Sequence, residues 1–171
     1  MSQQALLQAV RNHLISQLTL GNDQCDIMPE GRPIPGMGQF FYAVDDGGVE
    51  VANTEFLSER YSVDVTVTVR TGQFPSDRRR LLVVTATSGI DARCDAIKSK
   101  LHGSYTVMDA ANVLITGSVN KFQRPLRLMS ISAASYRGAD WAGSANDNDC
   151  FVTRTLRFGD ALRVQDLDIM T

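Results

Sequence analysis

Histidines and cysteines are the residues of this chain most able to act as nucleophiles, bases or metal ligands, and they are few. His13 and His102 stand on stretches far apart, so a site centred on both is not expected. The cysteines, Cys25, Cys94 and Cys150, show neither zinc-ligand spacing nor a disulfide framework. We expect reduced thiols that are buried or half-buried. His13 is predicted to lie at the surface, and His102 to interact with carbonyl groups at a helix end.

Carboxylates do not form a recognisable motif either. Asp45 and Asp46 stand in a turn-like sequence, where we expect both to be solvated. Residues 146–149 alternate Asn and Asp but lack the glycine and distal glutamate of a calcium loop. Nucleophile-elbow, zinc-protease, P-loop and dinucleotide-binding motifs do not occur. The sequence therefore predicts a protein that is not an enzyme, with no catalytic residue, no metal site and no cofactor.

Charged side chains are segregated by sign along the chain. Over 45–64 a single base, Arg60, stands against the acids Asp45, Asp46, Glu50, Glu55, Glu59 and Asp64. Over 121–163 bases exceed acids, and these bases are Lys121, Arg124, Arg127, Arg137, Arg154, Arg157 and Arg163. Two hypotheses stay open. The distribution is a chance one, or the two regions are complementary patches that set the register of a head-to-tail assembly.

A run of three arginines, Arg78, Arg79 and Arg80, lies in a segment that we expect to be an exposed connection, 71–80. This run is either a solvated cluster beside a helix or a patch for a polyanion or an acidic neighbour. The formal net charge of the chain is -2. That balance argues against a dedicated duplex-DNA binder, whose footprint is strongly basic.

The most regular stretch of the sequence runs from Tyr61 to Val69. Its odd positions are apolar and its even positions polar, which is the period of a strand with one buried and one wet face. Two helices are predicted to cover the apolar face. The first spans about 2–20 and stops at Gly21 and Asn22; the second spans about 88–101, starts with a Ser88 cap and carries Ile90, Cys94, Ile97 and Leu101 on one stripe.

The remaining segments complete a single α+β domain with a mixed or antiparallel sheet. An irregular arm is predicted over about 22–60, with a strand at 39–44 and a turn at 45–48 that opens either a hairpin or a long excursion returning at Tyr61. Further expectations are a buried segment at 81–86, a strand or short helix at 105–115, strands at 124–134, 151–158 and 162–169, and a loop at 136–150. Polar residues interrupt the N-terminal stretch and no long apolar run occurs, so neither a secretory signal nor a membrane span is expected.

Several stretches together carry a resemblance to a known family. They are the N-terminal helix, the Pro/Gly arm ending in Phe40-Phe41-Tyr42, the strand 61–69, the following Arg-Thr-Gly-Gln-Phe-Pro-Ser-Asp-Arg at 70–78, and the stretches 105–112 and 156–165. In this order they resemble the tail terminator and tail-completion proteins of tailed bacteriophages, over nearly the whole chain. The family has no catalytic residues to carry over.

The resemblance implies a structural virion protein of the tail or neck, made in the cytoplasm of a bacterial host. Such subunits form a ring, typically a hexamer, on the last ring of the tail tube. There the ring ends tube growth and offers a surface to the head connector or stopper, with genomic DNA passing through its centre. The alternatives are another neck or tail subunit, such as a head-side stopper or tail tube protein, or a small nucleic-acid-binding module.

Interface residues are assigned as hypotheses from the charges and from this resemblance. The acidic residues Asp45, Asp46, Glu50 and Glu55 are expected to contact a neighbouring subunit. The segment with Phe74, Arg78, Arg79 and Arg80 is expected to contact an acidic partner surface or DNA.

Overall fold

A six-stranded, mostly antiparallel sheet covered by helices forms the fold, which confirms the predicted α+β class. The computed structural model describes residues 2–29, 31–32, 34–54, 57–71, 89–115 and 121–164. Of the sequence predictions, those on Glu55, Phe74, Ser88, the arginine triplet and the segments 72–88 and 165–169 lie outside these residues. No helix in the described ranges is long and apolar enough to cross a membrane.

Ten elements follow one another in the described part of the chain. The helices are α1 (Ser2–Leu18), α2 (Ile90–Leu101), α3 (Tyr105–Leu114) and α4 (Ala139–Ala142). The strands are β1 (Cys25–Ile27), β2 (Phe40–Asn53), β3 (Ser58–Thr71), β4 (Arg127–Ile131), β5 (Ser135–Gly138) and β6 (Cys150–Val164). Their order in the sheet is β1-β2-β3-β6-β4, with β5 also pairing with β6. Only the β1–β2 pair is parallel among these strands.

Strand β3 lies in the middle of the sheet, as its alternating pattern predicts. Val63, Val65 and Val67 are completely buried, whereas Asp64 and Thr66 on the opposite face are half-buried. Thr68 departs from the expected wet face because it is also buried, between the directly opposed Phe41 of β2 and Thr153 of β6.

Helices α1 and α2 cover the apolar face of the sheet, as predicted. The buried helical residues in this core are Leu6, Leu7, Val10 and Leu14 of α1 and Ile90, Cys94, Ile97 and Leu101 of α2. On the sheet side they meet β3 together with Leu156 and Phe158 of β6. Burying each large apolar side chain contributes about 1.5–3 kcal/mol before the loss of conformational entropy. This shared apolar core is what holds the helices on the sheet.

The prediction of an irregular arm over 22–60 is wrong for much of that range. Residues 25–27 form β1, and β2 continues without a turn through the sequence Asp45-Asp46-Gly47-Gly48. Asp46 pairs with Val63 and Gly48 with Ser62, so Gly47 is an extra residue, a β-bulge. Pairing with β3 on both sides of the bulge overrides the local turn signal. The hairpin expected between 39–44 and 49–51 is therefore also wrong, because both segments belong to β2. The chain runs out along β2 and returns along β3 from Ser58, which is nearer to the predicted excursion returning at Tyr61.

Later segments follow the sequence expectations in part. Of the two structures expected for 105–115, the helix is the one formed, over Tyr105–Leu114, with the Ser104 hydroxyl accepting a hydrogen bond from Val107 N at 3.3 Å. The predicted loop 136–150 contains most of β5 and all of α4, and the strand expected at 124–134 is shorter. Strand β6 is not interrupted at Gly159, because β3 and β4 pair with it on both sides. Helix α1 ends at Leu18, before the predicted stop, with Thr19 at φ 53°.

Candidate assembly interface

The predicted acidic residues that the structure describes lie on β2, where this strand is at the edge of the sheet. Strand β1 covers the outer side of β2 only from Tyr42 to Val44. Asp45, Asp46 and Glu50 come after that covered part. Every residue from 48 to 54 is exposed, including the apolar Val49 and Val51, at 48% and 52%. The acidic residues therefore share one strand segment rather than a turn, with Asp46 and Glu50 exposed and Asp45 partly buried. We call residues 45–52 the β2 edge.

Asp45 is not solvated in the way that the sequence predicts. It stands directly opposite Asp64 of β3, and its side chain is partly buried. Burial raises the pKa of Asp45, and the neighbouring Asp64 charge raises it further. Two like charges on adjacent strands repel each other, so this pair favours a nearby cation. Arg157 of β6 supplies that cation, with Nε 3.4 Å from Asp64 Oδ1.

The Gly47 bulge fixes the β2 edge to the rest of the domain. Asp46 Oδ1 accepts hydrogen bonds from Gly48 N at 2.7 Å and from the Gln3 side chain of α1 at 2.8 Å. The Arg157 guanidinium donates to Gly47 O at 2.6 Å. A helix and two other strands thus hold the bulge, which makes the β2 edge an ordered surface.

Much of the basic C-terminal region is neutralised within the same chain. Because β3 and β6 are antiparallel neighbours, acids of one stand beside bases of the other. The ion pairs are Arg157–Asp64, Arg163–Glu59, Arg154–Asp91, Arg60–Asp160 and, at 4.0 Å, Arg124–Asp160. The more exposed of these pairs, such as Arg124–Asp160, contribute about 0–1 kcal/mol each. Acids and bases that are separated along the sequence are therefore partly paired with each other in the folded chain.

Several of the charges that remain after this pairing lie at the two edges of the sheet, whereas the exposed Asp140 and Asp147 lie on α4 and the loop after it. Asp45, Asp46 and Glu50 form no ion pair among the described residues, and all three belong to the β2 edge. On the other side of the sheet, Lys121, Arg127 and Arg137 are exposed and equally unpaired within the described ranges. Arg127 begins β4 and Arg137 lies in β5. We call residues 127–138 the β4/β5 edge.

A buried ion pair that the sequence did not indicate anchors the loop after α4. Asp149 is 2% exposed and its Oδ2 lies 2.8 Å from Arg70 Nη2, at the end of β3. Its Oδ2 also accepts from the Ser144 hydroxyl, and Arg70 Nη1 donates to Pro35 O at 3.4 Å. These contacts join the loop, the central strand and the proline segment. No local pattern relates residues so far apart in sequence.

Acid is expected to release this anchor. The hydrogen bond from Ser144 and the Arg70 guanidinium lower the pKa of Asp149 below its ordinary 3.8. Because the pKa is lower in the folded state, the stabilisation is present above about pH 4 and is lost as pH falls through the folded pKa. Urea unfolding between pH 5 and pH 3 should show a steeper loss of stability for the unmodified protein than for Asp149→Asn. Asp147→Asn, an exposed change in the same loop, is the control; parallel pH profiles for all three would contradict the prediction.

The histidines have structural positions. His13 is partly buried, not at the surface as predicted, because α1 packs on α2 and its Nε2 lies 3.1 Å from Lys100 O. Burial lowers the pKa of His13. His102 caps the end of α2, where its backbone N–H donates to Lys98 O at 3.0 Å, as predicted for a helix end. Its ring Nδ1 accepts a hydrogen bond from Leu128 N of β4 at 3.0 Å. Among the described residues, no cluster of three His, Cys, Asp or Glu side chains could hold a metal ion.

The cysteines are free and buried, as predicted. Burial raises the pKa of Cys25 to about 12 and that of Cys94 to about 11. The pKa of Cys150 shifts in the same direction. A thiol with such a pKa is almost entirely protonated near neutral pH, and the thiolate is the reactive form. The three cysteines are therefore packing residues of the interior rather than reactive thiols.

Similarity to known proteins is found among solved structures. No protein-family model matches the sequence, and no curated protein matches it. Among solved structures, the chain is similar to one from the virion of a native gene transfer agent particle, with 19% sequence identity and a TM-score of 0.46. The match covers 95% of this chain and 93% of that chain. A similarity of this size does not indicate a function. The function is therefore inferred from the residues of the two sheet edges.

Proposed function

We propose that this chain is a structural virion subunit that forms a hexameric ring on the end of a phage-like tail tube. The ring ends tube growth and joins the tail to the head connector, while genomic DNA passes through its centre. The observation that carries this proposal is the β2 edge, an ordered strand segment with exposed valines and unpaired carboxylates. The resemblance of the sequence to tail terminator and tail-completion proteins supports a role for this surface in a virion.

An open strand edge of this kind fits a protein that works in an assembly. Exposed strand edges present unpaired backbone groups, and proteins that act alone protect them with charges, bulges or covering segments. Here the carboxylates and the Gly47 bulge give partial protection, while Val49 and Val51 remain exposed. Covering both valines in a contact would contribute up to about 1.5–3 kcal/mol each. A neighbouring protein that covers this edge therefore gains apolar contact and charge recognition together.

Imaging particles from a producing strain in which the gene has been inactivated tests the function. We expect headless tails with tubes of irregular, extended length, because nothing ends their growth. Supplying the gene on a plasmid should restore the normal tail length. Full-length tails joined to heads without this protein would overturn the proposal. A strain that makes no tubes would instead indicate a tail tube protein, and tails of normal length with unfilled necks would indicate a head-side stopper.

The arginine triplet and Phe74 belong to this proposal as a second contact surface. We infer that Arg78, Arg79 and Arg80 contact an acidic partner surface or the DNA that passes through the ring. Phe74 belongs to the same segment of the sequence, and Glu55 is proposed to contact a neighbouring subunit with the acids of the β2 edge. Replacing the three arginines by glutamate should weaken ring formation or attachment while the subunit stays folded. Native mass spectrometry and circular dichroism of the purified variant measure the two properties. An unchanged ring that still completes particles in the producing strain would refute this part of the proposal.

A further inference from the structure

We propose that the β2 edge of one copy docks against the β4/β5 edge of the next copy, so that the subunits join head to tail through opposite edges of their sheets. This inference rests on the proposed function, because it requires several copies in one assembly. It adds to that function the identity of the two surfaces through which neighbouring copies meet.

Both edges are open in the described part of the chain. Beyond Val44, no described strand pairs with the outer side of β2 over residues 45–52. On the opposite side of the sheet, β4 and β5 pair with β6 on one side, and no described strand pairs with the other. In the strand order of the sheet, β3 and β6 lie between the two edges, while Met129 of β4 and Glu50 of β2 line one surface pocket over these strands.

The unpaired charges of the two edges are opposite in sign. Asp45, Asp46 and Glu50 form no ion pair within the described residues, although Glu50 stands opposite Arg60 of β3. The segment 121–139 contains Lys121, Arg124, Arg127 and Arg137, and the next acid is the exposed Asp140. Of these bases only Arg124 forms a described ion pair, at 4.0 Å with an exposed geometry. Opposite charges across an interface guide association and fix its register. The same two edges would repel copies of themselves, which disfavours a symmetric back-to-back dimer.

Apolar side chains provide the remaining contact. Val49 and Val51 are about half exposed on the β2 edge, and Met129 is 63% exposed on β4. Backbone pairing cannot run along the whole of β4, because His102 already accepts the hydrogen bond of Leu128 N. The start of β4 is thus protected, and we expect the docking to use its exposed side chains and the later part of this edge.

A head-to-tail contact of this kind produces either closed rings or open filaments. It is heterologous, since two different surfaces of the chain meet, and each added copy leaves the same two edges free at its ends. Repetition closes into a ring when the rotation between copies allows it. This makes the edge contact a natural basis for the ring that the proposed function needs.

Charge reversal at both edges tests the contact. Glu50→Lys and Arg127→Glu should each weaken assembly about tenfold in dissociation constant, because an attraction becomes a repulsion. The double variant should recover most of this loss, since the charges are opposite again. Asp109→Lys is a matched control, because this exposed acid on α3 undergoes the same charge change away from both edges. Sedimentation velocity and native mass spectrometry at low and high salt give the affinities and oligomer sizes, and the effects should shrink in high salt.

The outcomes separate the inference from the proposed function. Weakening by each single reversal with recovery in the double variant supports the edge contact. The inference is overturned if neither reversal affects the ring, or if the double variant does not restore it. In that case the β2 edge binds a partner other than a second copy, and the proposed ring is unaffected. An unmodified protein that stays monomeric at all concentrations, while the gene-inactivated strain makes normal particles, overturns both.

Discussion

Replacing Leu156 by alanine is expected to lower the free energy of unfolding by about 2–5 kcal/mol. Leu156 is completely buried on β6 and stands opposite Val65 of β3 on one side and Ile131 of β4 on the other. Its side chain therefore touches the core at the point where three strands meet the helices. The loss combines the transfer of the leucine side chain with the cavity that a rigid sheet leaves unfilled.

Urea unfolding followed by circular dichroism measures this loss. The melting temperature should fall by about 2–4 °C for each kcal/mol in a chain of this size. Leu114→Ala removes the same atoms from the end of α3, where the side chain is 50% exposed, and it should change stability by well under half as much. Equal effects of the two substitutions would show that the core does not lie where the structure has it.

Replacing Gly47 by alanine is expected to destabilise the β2–β3 hairpin by about 1–3 kcal/mol and to weaken ring formation. A Cβ atom at this position would lie 2.8 Å from the Ser62 carbonyl carbon, which belongs to the backbone of β3. Because a backbone atom cannot rotate away, the two strands must move apart. The bulge also accepts the Arg157 hydrogen bond, so the displacement reaches β6.

Gly138→Ala provides a matched control for this prediction. An added Cβ at Gly138 meets nothing within 4 Å, and its φ of -79° suits any L-residue. Such a change is expected to leave stability unchanged or raise it by about 0.4–1 kcal/mol, because it restricts the unfolded chain. Because Gly138 ends the β4/β5 edge, this variant is a control for stability alone. If Gly47→Ala unfolds at the same urea concentration as Gly138→Ala, then the bulge does not organise the β2 edge.

Features with a local period were predictable from the sequence. The alternation from Tyr61 to Val69 identified the central strand, and the stripes over 2–20 and 88–101 identified the two helices that cover it. In each case the buried side chains repeat at a spacing that only one regular structure satisfies. The fold class was then predictable from the order of these elements.

Features that depend on pairing between distant strands were not predictable. The residues Asp45 to Gly48 form a good turn by composition, yet β3 holds them in a bulged strand. The Arg70–Asp149 ion pair and the Arg157–Asp64 pair each need a strand register that the sequence does not reveal. For the same reason, the sequence showed the segregated charges of the candidate interface but not which of them remain unpaired.

The pairing of β3 with β6 also determines when the central strand can be completed. Strands β2 and β3 are close in sequence and can form their hairpin early, whereas Thr66 and Thr155 are 89 positions apart. Contacts that close such long loops form late in folding. During synthesis, the side of β3 that later binds β6 stays unpaired until β6 has left the ribosome. The Arg157 contact to the bulge forms at that same moment, so the β2 edge reaches its final shape only in a fully made subunit. Incomplete chains would thereby be kept out of the proposed ring.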